Sequence, residues 1–275
     1  MNRWIRRAAA ATAIAVLAGA AHAQPFPSKP LRFVVPFPAG SATDNVARIV
    51  AQAMGESLAQ PVAVENKPGA NGILGAEAVK AAAPDGYTML VTTNTTQAAN
   101  VSLYKKLSYD HGSAGALVSD ALVASMGGLQ VTPVAYKGIP PALTDLIGGS
   151  IQYAFADVGN AVAQMNGGKL KGLGVTTSQR ASRAPNVPTI AEAALPGSEV
   201  QAWFGLVAPA GLAPDVRSKL SSTMLAVLAR PDVREKIAAE SVDVDPLDSA
   251  GLAQAIDAEI KRWAGWVRDA NIQPE

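Results

Sequence analysis

The residues with the clearest capacity for chemistry lie in one stretch, LRFVVPFPAGSATDNVAR (residues 31–48). An apolar run, Leu31 to Val35, breaks at Pro36 and crosses a loop that carries no charge before Asp44. A helix-period pattern follows, so the spacing predicts a strand, a Gly/Ser/Thr loop and a helix N-terminus. Backbone N–H groups at such a terminus hold an anion without a basic side chain. Other reactive constellations are missing. Past residue 23 the chain has one histidine, His111, in a Gly-rich turn, and it has no cysteine, so metal sites built on His or Cys clusters are not available. A Ser-His-Asp triad would have to use His111, and no G-x-S-x-G elbow supports one. No G-x-G-x-x-G follows the first strand, and there is no Walker loop. Asp44, Asp85, Asp110, Asp145 and Asp157 are scattered rather than paired for acid–base work. The inventory asks for no enzyme, no cofactor and no metal.

The elements that must position the opening loop follow from periodicity. Leu31 to Phe37 reads as a buried strand, and Val46, Ile49, Val50, Ala53, Met54 and Leu58 fall at helical spacing behind a cap at Thr43 or Asp44. Val62 to Glu65 is a second strand, followed by a turn over residues 66–72, a helix over 73–83, the turn Pro84-Asp85-Gly86 and a third strand over 87–92. This β-α-β-α-β order predicts an α/β fold with a parallel, doubly wound sheet and binding loops at the strand C-terminal ends. Further units read as a helix over 116–126, a strand over 131–136, a helix over 141–147, a strand over 151–156, a helix over 161–165 and a strand over 172–176. The run QAWFGLVAP (201–209) reads as a last strand, ahead of helices beginning near Ala213 and Pro231 and a third over 249–270. In that third helix Leu252, Ile256, Ile260, Trp263 and Val267 form the apolar stripe.

Bulk properties narrow the class. Arg3, Arg6 and Arg7 precede an apolar run, and Ala21-His22-Ala23 is an A-x-A cleavage site, so residues 1–23 read as an export signal cleaved after Ala23. The chain has 23 basic and 22 acidic residues, and the leader removes three arginines and no acid, which leaves 20 against 22 and a net charge of −2. That balance excludes a nucleic-acid or anionic-membrane binder. An exported chain without cysteine has no disulfide framework, so a hydrophobic core must stabilise it.

The tract PFPAGSATDNVAR resembles the signature loop of the tripartite tricarboxylate transporter solute receptors, the Bug or TctC-like proteins. Seven further segments agree in order: VENKPGANGILGAEAV (64–79), PDGYTMLVTTN (84–94), LYKKLSYD (103–110), VAYKGIPPALTDLIGG (134–149), GKLKGLGVTTSQR (168–180), PNVPTIAEAALPG (185–197) and WFGLVAPAG (203–211). The resemblance implies a two-lobed periplasmic binding protein of type II topology, with residues 24–110 and 205–275 in one lobe and 111–204 in the other. It further implies a monomer that closes around a small carboxylate, held largely by backbone amides and waters, and serves the membrane subunits of a tripartite transporter.

Carried over by motif, the first-lobe contacts are Phe37, Ala39, Gly40, Ser41 and Asp44. Ser41 stands where many members have a second glycine, and its hydroxyl can donate to an anion; Asp44 is either a helix cap or a ligand group. Gly69 and Gly72 supply loop backbone near the cleft or simply make the turn. Thr92, Thr93 and Asn94 end the third strand, where ligand hydroxyl contacts are expected. From the second lobe, Ser113 and Gly115 match a Gly-Ser loop, Tyr136, Lys137 and Gly138 match a Tyr-Lys-Gly loop, and Asp157 matches an acidic residue after the next strand. Lys137 is either a direct charge for the ligand or an exposed lysine. Trp203 and Phe204 are expected in core or hinge packing.

One departure stands out. In the family, LYKKLSYD is followed by a strand, a crossing, a helix and another strand before the Gly-Ser loop, whereas here Asp110 runs directly into His111-Gly112-Ser113. A shortened, incomplete second lobe is therefore expected. The leading function is an exported receptor for a small organic carboxylate. The alternatives are a degenerate or non-transporting receptor acting as a sensor or partner-binding module, and a periplasmic hydrolase using Ser113 or His111.

Overall fold

A computed structural model describes residues 25–103, 132, 134, 136, 139–193 and 199–269. The chain enters at β1 (Leu31–Val35), whose near-continuous apolar sequence suits a strand covered on both faces. Leu31, Phe33 and Val35 face a core shared with α1 (Ala42–Leu58), α7 (Pro214–Ala229) and α8 (Pro231–Ala239). Val34 points the other way, onto Val79 of α2 (Ile73–Lys80) and Leu90 of β3 (Thr88–Thr93). The helices α1 and α2 thus cover opposite faces of one sheet.

The sheet order is β2-β1-β3-β4, with β2 spanning Val62–Asn66 and β4 spanning Phe204–Val207. β1 pairs in parallel with β2 (Leu31 with Val62, Val35 with Asn66) and with β3 (Phe33 with Met89). β4 returns antiparallel to β3, pairing Leu90 with Val207 and Thr93 with Phe204. Because β2 and β3 flank β1 on opposite sides, the chain reverses direction at the C-terminal ends of β1 and β3. That point is where doubly wound sheets open a crevice.

After β3 the backbone forms a π-helical turn (Thr95–Ala99) that runs into α3 (Asn100–Leu103), elements the sequence pattern did not predict. The long α9 (Ser249–Asp269) seats Trp263 on this turn, with Ala98, Ala99 and Val267 buried around it and Trp266 meeting the Trp263 ring edge-on at 5.2 Å. Among the described residues the remaining α-helices are α4 (Ile139–Ile147), α5 (Val158–Asn166) and α6 (Ile190–Ala193).

Several expectations need correction. α1 starts earlier than its apolar period implies: its N-cap is Ser41, not Thr43 or Asp44, because the Ser41 side chain accepts the Asp44 N–H at 3.3 Å. α2 ends at Lys80 rather than Ala83. Residues 151–156 and 172–176 do not form strands. Val175 makes one parallel bridge to Thr189, donating to Pro188 O and accepting from Ile190 N, and this local pairing takes the groups a sheet ladder would need. An apolar run becomes a strand only where a neighbour pairs with it. The expected helix over 116–126 and most of the expected strand over 131–136 lie outside the described residues.

Candidate functional site

Three loops leave the C-terminal ends of β1, β2 and β3 and meet at the crevice. Their closeness is set by glycine. A Cβ on Gly72 would lie 2.5 Å from Thr96 Cγ2 and 3.2 Å from Pro36 Cβ, and its φ of +89° is itself unfavourable for any other residue. Gly75 brings the first turn of α2 equally close to Pro36, at 2.8 Å from Cβ. The Pro36 and Thr96 side chains, from the loop after β1 and from the π turn, therefore pack directly on glycine backbone at the start of α2.

The opening loop is tied down by its own helix and by β2. Asp44 is 2 % exposed, and Oδ2 accepts Gly40 N at 2.9 Å and Arg48 Nε at 3.0 Å, while Oδ1 accepts Asn66 Nδ2 at 2.9 Å. Asn66 Nδ2 also donates to Phe37 O at 3.0 Å, and its Oδ1 accepts Arg48 Nη2 at 3.0 Å. Desolvation is the largest single influence on the Asp44 carboxyl and opposes ionisation. The hydrogen bonds from Arg48, Gly40 and Asn66, with the Arg48 charge, outweigh it together and hold the pKa below the ordinary aspartate value. Asp44 is thus an anion whose acceptors are spent on its own loop.

What the loop leaves open is backbone. Asn45 N donates to Ser41 O, Asp44 N is capped, and Ser41 N donates to Pro38 O, whereas the N–H groups of Ala42 and Thr43 have no partner among the described residues. The Ser41 hydroxyl accepts from Asp44 and keeps its proton free to donate. Ala39 is exposed, and Phe37 packs against the core beneath the loop.

Facing this terminus is another. Asp157 precedes α5 without capping it, and Asn160 N and Ala161 N both return to Asp157 O, which leaves the Val158 and Gly159 N–H groups without partners among the described residues. A small crevice between the two helix starts is lined by Ala42, Asn45, Asp157, Gly159, Asn160 and Glu240. Protein crowded around the Asp157 carboxyl desolvates it and pushes its pKa up, against a 3.3 Å hydrogen bond from Asn160 Nδ2, although the residue keeps a solvent-exposed edge. Asn45 Nδ2 donates to Glu240 Oε2 at 2.8 Å. Arg183 reaches across to Ala239 O and Ser241 Oγ, and a Cβ on Gly159 would stand 2.8 Å from Glu240 O. The segment carrying α5 is thereby seated on the end of α8.

The other residues singled out from sequence are placed as follows. Thr96 Oγ1 donates to Thr93 O and accepts Thr93 N–H at 3.0 Å, so the 2.6 Å contact with Thr92 Oγ1 is a hydrogen bond donated by Thr92. Thr93 Oγ1 is buried with no partner among the described residues, and Asn94 is buried beside it. Gly69 (φ +134°) and Gly72 shape the loop after β2. Tyr136 donates its hydroxyl to Asp145 Oδ2 at 2.7 Å, a bond that is the main cause of its raised pKa. Phe204 packs on the main core. Ser113, Gly115, Lys137 and Gly138, like His111, lie outside the described residues. Sequence reasoning missed Arg48, Asn66, Asn45, Asn160 and Glu240. Arg48 was findable, since it stands four residues after Asp44 on a helix; the others meet only through tertiary folding.

The chain is similar to known proteins over most of its length. The UPF0065 protein in the tcbD-tcbE intergenic region of Pseudomonas sp. strain P51 is 30% identical over 309 residues, 94% of this chain and 92% of its own. BugT of Bordetella pertussis is 29% identical, over 95% of each chain. Among solved structures, the periplasmic binding protein BugD superposes with a TM-score of 0.83 at 28% identity, covering 91% of this chain and 100% of its own. MatC of Rhodopseudomonas palustris, solved with bound malate, gives a TM-score of 0.81 at 31% identity over 88% of this chain and 100% of its own. The fold is that of the α/β periplasmic binding proteins. Residues 46–114 and 108–272 match the tripartite tricarboxylate transporter family receptor, well over half of the chain, and the chain belongs to that family.

Proposed function

We propose that this chain is a periplasmic receptor that closes on a small organic carboxylate and delivers it to the membrane subunits of a tripartite tricarboxylate transporter. The observation that carries the reading is the pair of uncapped helix starts, Ala42/Thr43 and Val158/Gly159, flanking one crevice at the sheet's switch point. Four free N–H groups and the positive ends of two helix dipoles suit a carboxylate, and they strengthen as water leaves the cleft. Ser41 adds a hydroxyl donor, and Thr93 offers a buried hydroxyl at the end of β3. The remaining contacts expected from the loop motifs, at Phe37, Ala39, Gly40, Gly69, Gly72, Thr92, Asn94, Ser113, Gly115, Tyr136, Lys137, Gly138 and Asp157, complete the proposed cleft between lobes 24–110 plus 205–275 and 111–204. MatC with malate, and a second R. palustris protein solved with adipate at 26% identity, support the ligand class. The export signal supports the periplasm, and no helix among the described residues is long and apolar enough to cross a membrane.

Thermal-shift titration of residues 24–275 with malate, adipate and citrate tests the reading. Ligand at a hundred times its Kd stabilises by about 2.7 kcal/mol, a rise of about 5–10 °C for a chain of this size. A saturable rise supports the receptor; no response to any of the three refutes it.

A second reading has its own support. The match to the Pseudomonas relative runs over 309 positions, and 94% of 275 residues fills about 259 of them, so about fifty positions have no counterpart here. The family match also divides between residues 108 and 114, where the missing segment is expected. A chain that lost part of its second lobe in this way acts as a non-transporting sensor or partner-binding module. Absence of transport alongside retained carboxylate binding would distinguish that role.

A further inference from the structure

We propose that Asn66 is a positioning residue for the anion site: delivered from the end of β2, it holds the loop before α1 in the one shape that frees the Ala42 and Thr43 N–H groups. The proposal rests on the receptor reading for its ligand, but its geometry stands apart from it. The loop has a difficulty to resolve. A carboxylate, Asp44, sits in the first turn of the helix that is to receive another carboxylate, and like charges this close disfavour each other. Arg48 neutralises Asp44 on one side through Nε at 3.0 Å. That leaves Oδ1 facing β2, and Asn66 Nδ2 fills it at 2.9 Å.

The same amide nitrogen donates to Phe37 O at 3.0 Å, and the amide oxygen accepts from Arg48 at 3.0 Å. One neutral side chain therefore joins the loop backbone, the buried acid and the base that pairs with it into a closed ring. The ring's last link is Gly40 N to Asp44 Oδ2 at 2.9 Å, made with Gly40 at φ +80°. With Asp44 committed and Gly40 turned inward, the next free donors along the chain are Ala42 and Thr43. Asparagine suits the position because it supplies a donor and an acceptor without charge. Aspartate would oppose Asp44, and alanine would leave Phe37 O and Asp44 Oδ1 short of a donor.

The experiment compares wild type, Asn66→Ala and Asn66→Asp in three readouts: melting temperature, calorimetric Kd for malate and adipate, and the Gly40 amide resonance and its hydrogen exchange in 15N spectra. We expect both variants to stay folded, to bind the responding ligand about tenfold or more weakly, the scale of leaving a buried polar group unpaired, and to shift and speed exchange of the Gly40 amide. Asn66→Asp should be the weaker binder of the two. Variants that bind within twofold of wild type, with the Gly40 amide unchanged, overturn the proposal. If wild type binds neither ligand, the receptor reading fails for these ligands. The Gly40 amide then decides alone: moved in both variants, it upholds the positioning role, and unmoved, it overturns it. Should a variant not fold, Arg48→Lys, which keeps the charge but not the fork to Asp44 and Asn66, gives the same readouts under the same criteria.

Discussion

Gly159→Ala separates the stability of this molecule from its closure. Gly159 occupies the second position of α5 with ordinary helical geometry, so alanine should favour the helix, by up to about 1 kcal/mol in a helix interior and less at its first turn. The added methyl, however, would stand 2.8 Å from Glu240 O, about 0.6 Å inside ordinary van der Waals contact. Glu240 O is backbone at the end of α8 and cannot rotate aside, so the α5 segment must back away by several tenths of an ångström. That displacement stretches the Arg183 hydrogen bonds to Ala239 O and Ser241 Oγ, which span the same junction. A hydrogen bond made by a charged group is worth about 1.5–3 kcal/mol at most, and solvent exposure of Arg183 discounts it. The junction therefore loosens at a cost of about 1–2 kcal/mol, which the helix gain partly offsets. The expected result is a melting temperature within about 2 °C of wild type and about tenfold weaker binding of whichever carboxylate stabilises the wild type. The cysteine-free sequence allows spin labels at Gln52→Cys and Lys171→Cys, both exposed, and the distance between them should lengthen in the variant. An unchanged distance distribution with unchanged binding would refute the argument that this contact holds α5 on the end of α8.

Three further outcomes follow from the packing and the charges. Trp263→Ala removes a fully buried ring between α9 and the π turn and should cost about 3–5 kcal/mol in urea denaturation. Gly72→Ala combines a left-handed φ with a 2.5 Å clash against a hydrogen-bonded threonine, and should lower stability by about 2 kcal/mol or more, read as a reduced denaturation midpoint at unchanged m-value. Asp44 has a folded pKa below its unfolded one, so its ionic contribution is fully present above the unfolded value and fades as pH falls through the folded one. The stability gap between wild type and Asp44→Asn, measured by denaturation from pH 7 down to pH 3, should therefore narrow with acid; a gap that widens would show the sign to be wrong.

The first half of the fold was legible because each element carries its own signal. Leu31–Val35 is apolar apart from Arg32 and sits centrally in the sheet, and α1 shows its period in Val46, Val50, Met54 and Leu58. The antiparallel entry of β4 was not legible, since FGLV has no feature that fixes direction or register. The segments 151–156 and 172–176 have strand composition, yet Val175 found Thr189 instead of a sheet. The cap at Ser41 was overlooked because apolar periodicity begins only at Val46, one turn inside the helix. At the site, the loop itself was readable, but the crevice facing it was not: Asn45, Asn160 and Glu240 are ordinary polar residues 80 to 195 positions apart, joined only by how α5 seats on α8.

The seating of Trp263 on the π turn has a temporal consequence. A ribosome makes β1, β2 and β3 well before the rest of the fold, yet the turn that ends β3 packs on α9, and β3 pairs with β4 at residue 204. Until β4 emerges β3 lacks its partner on that edge, and until α9 emerges Ala98 and Ala99 lack the packing that Trp263 gives them. The nascent chain therefore cannot finish its binding crevice early. The native packing of the first-made strands thus depends on residues roughly a hundred or more positions downstream.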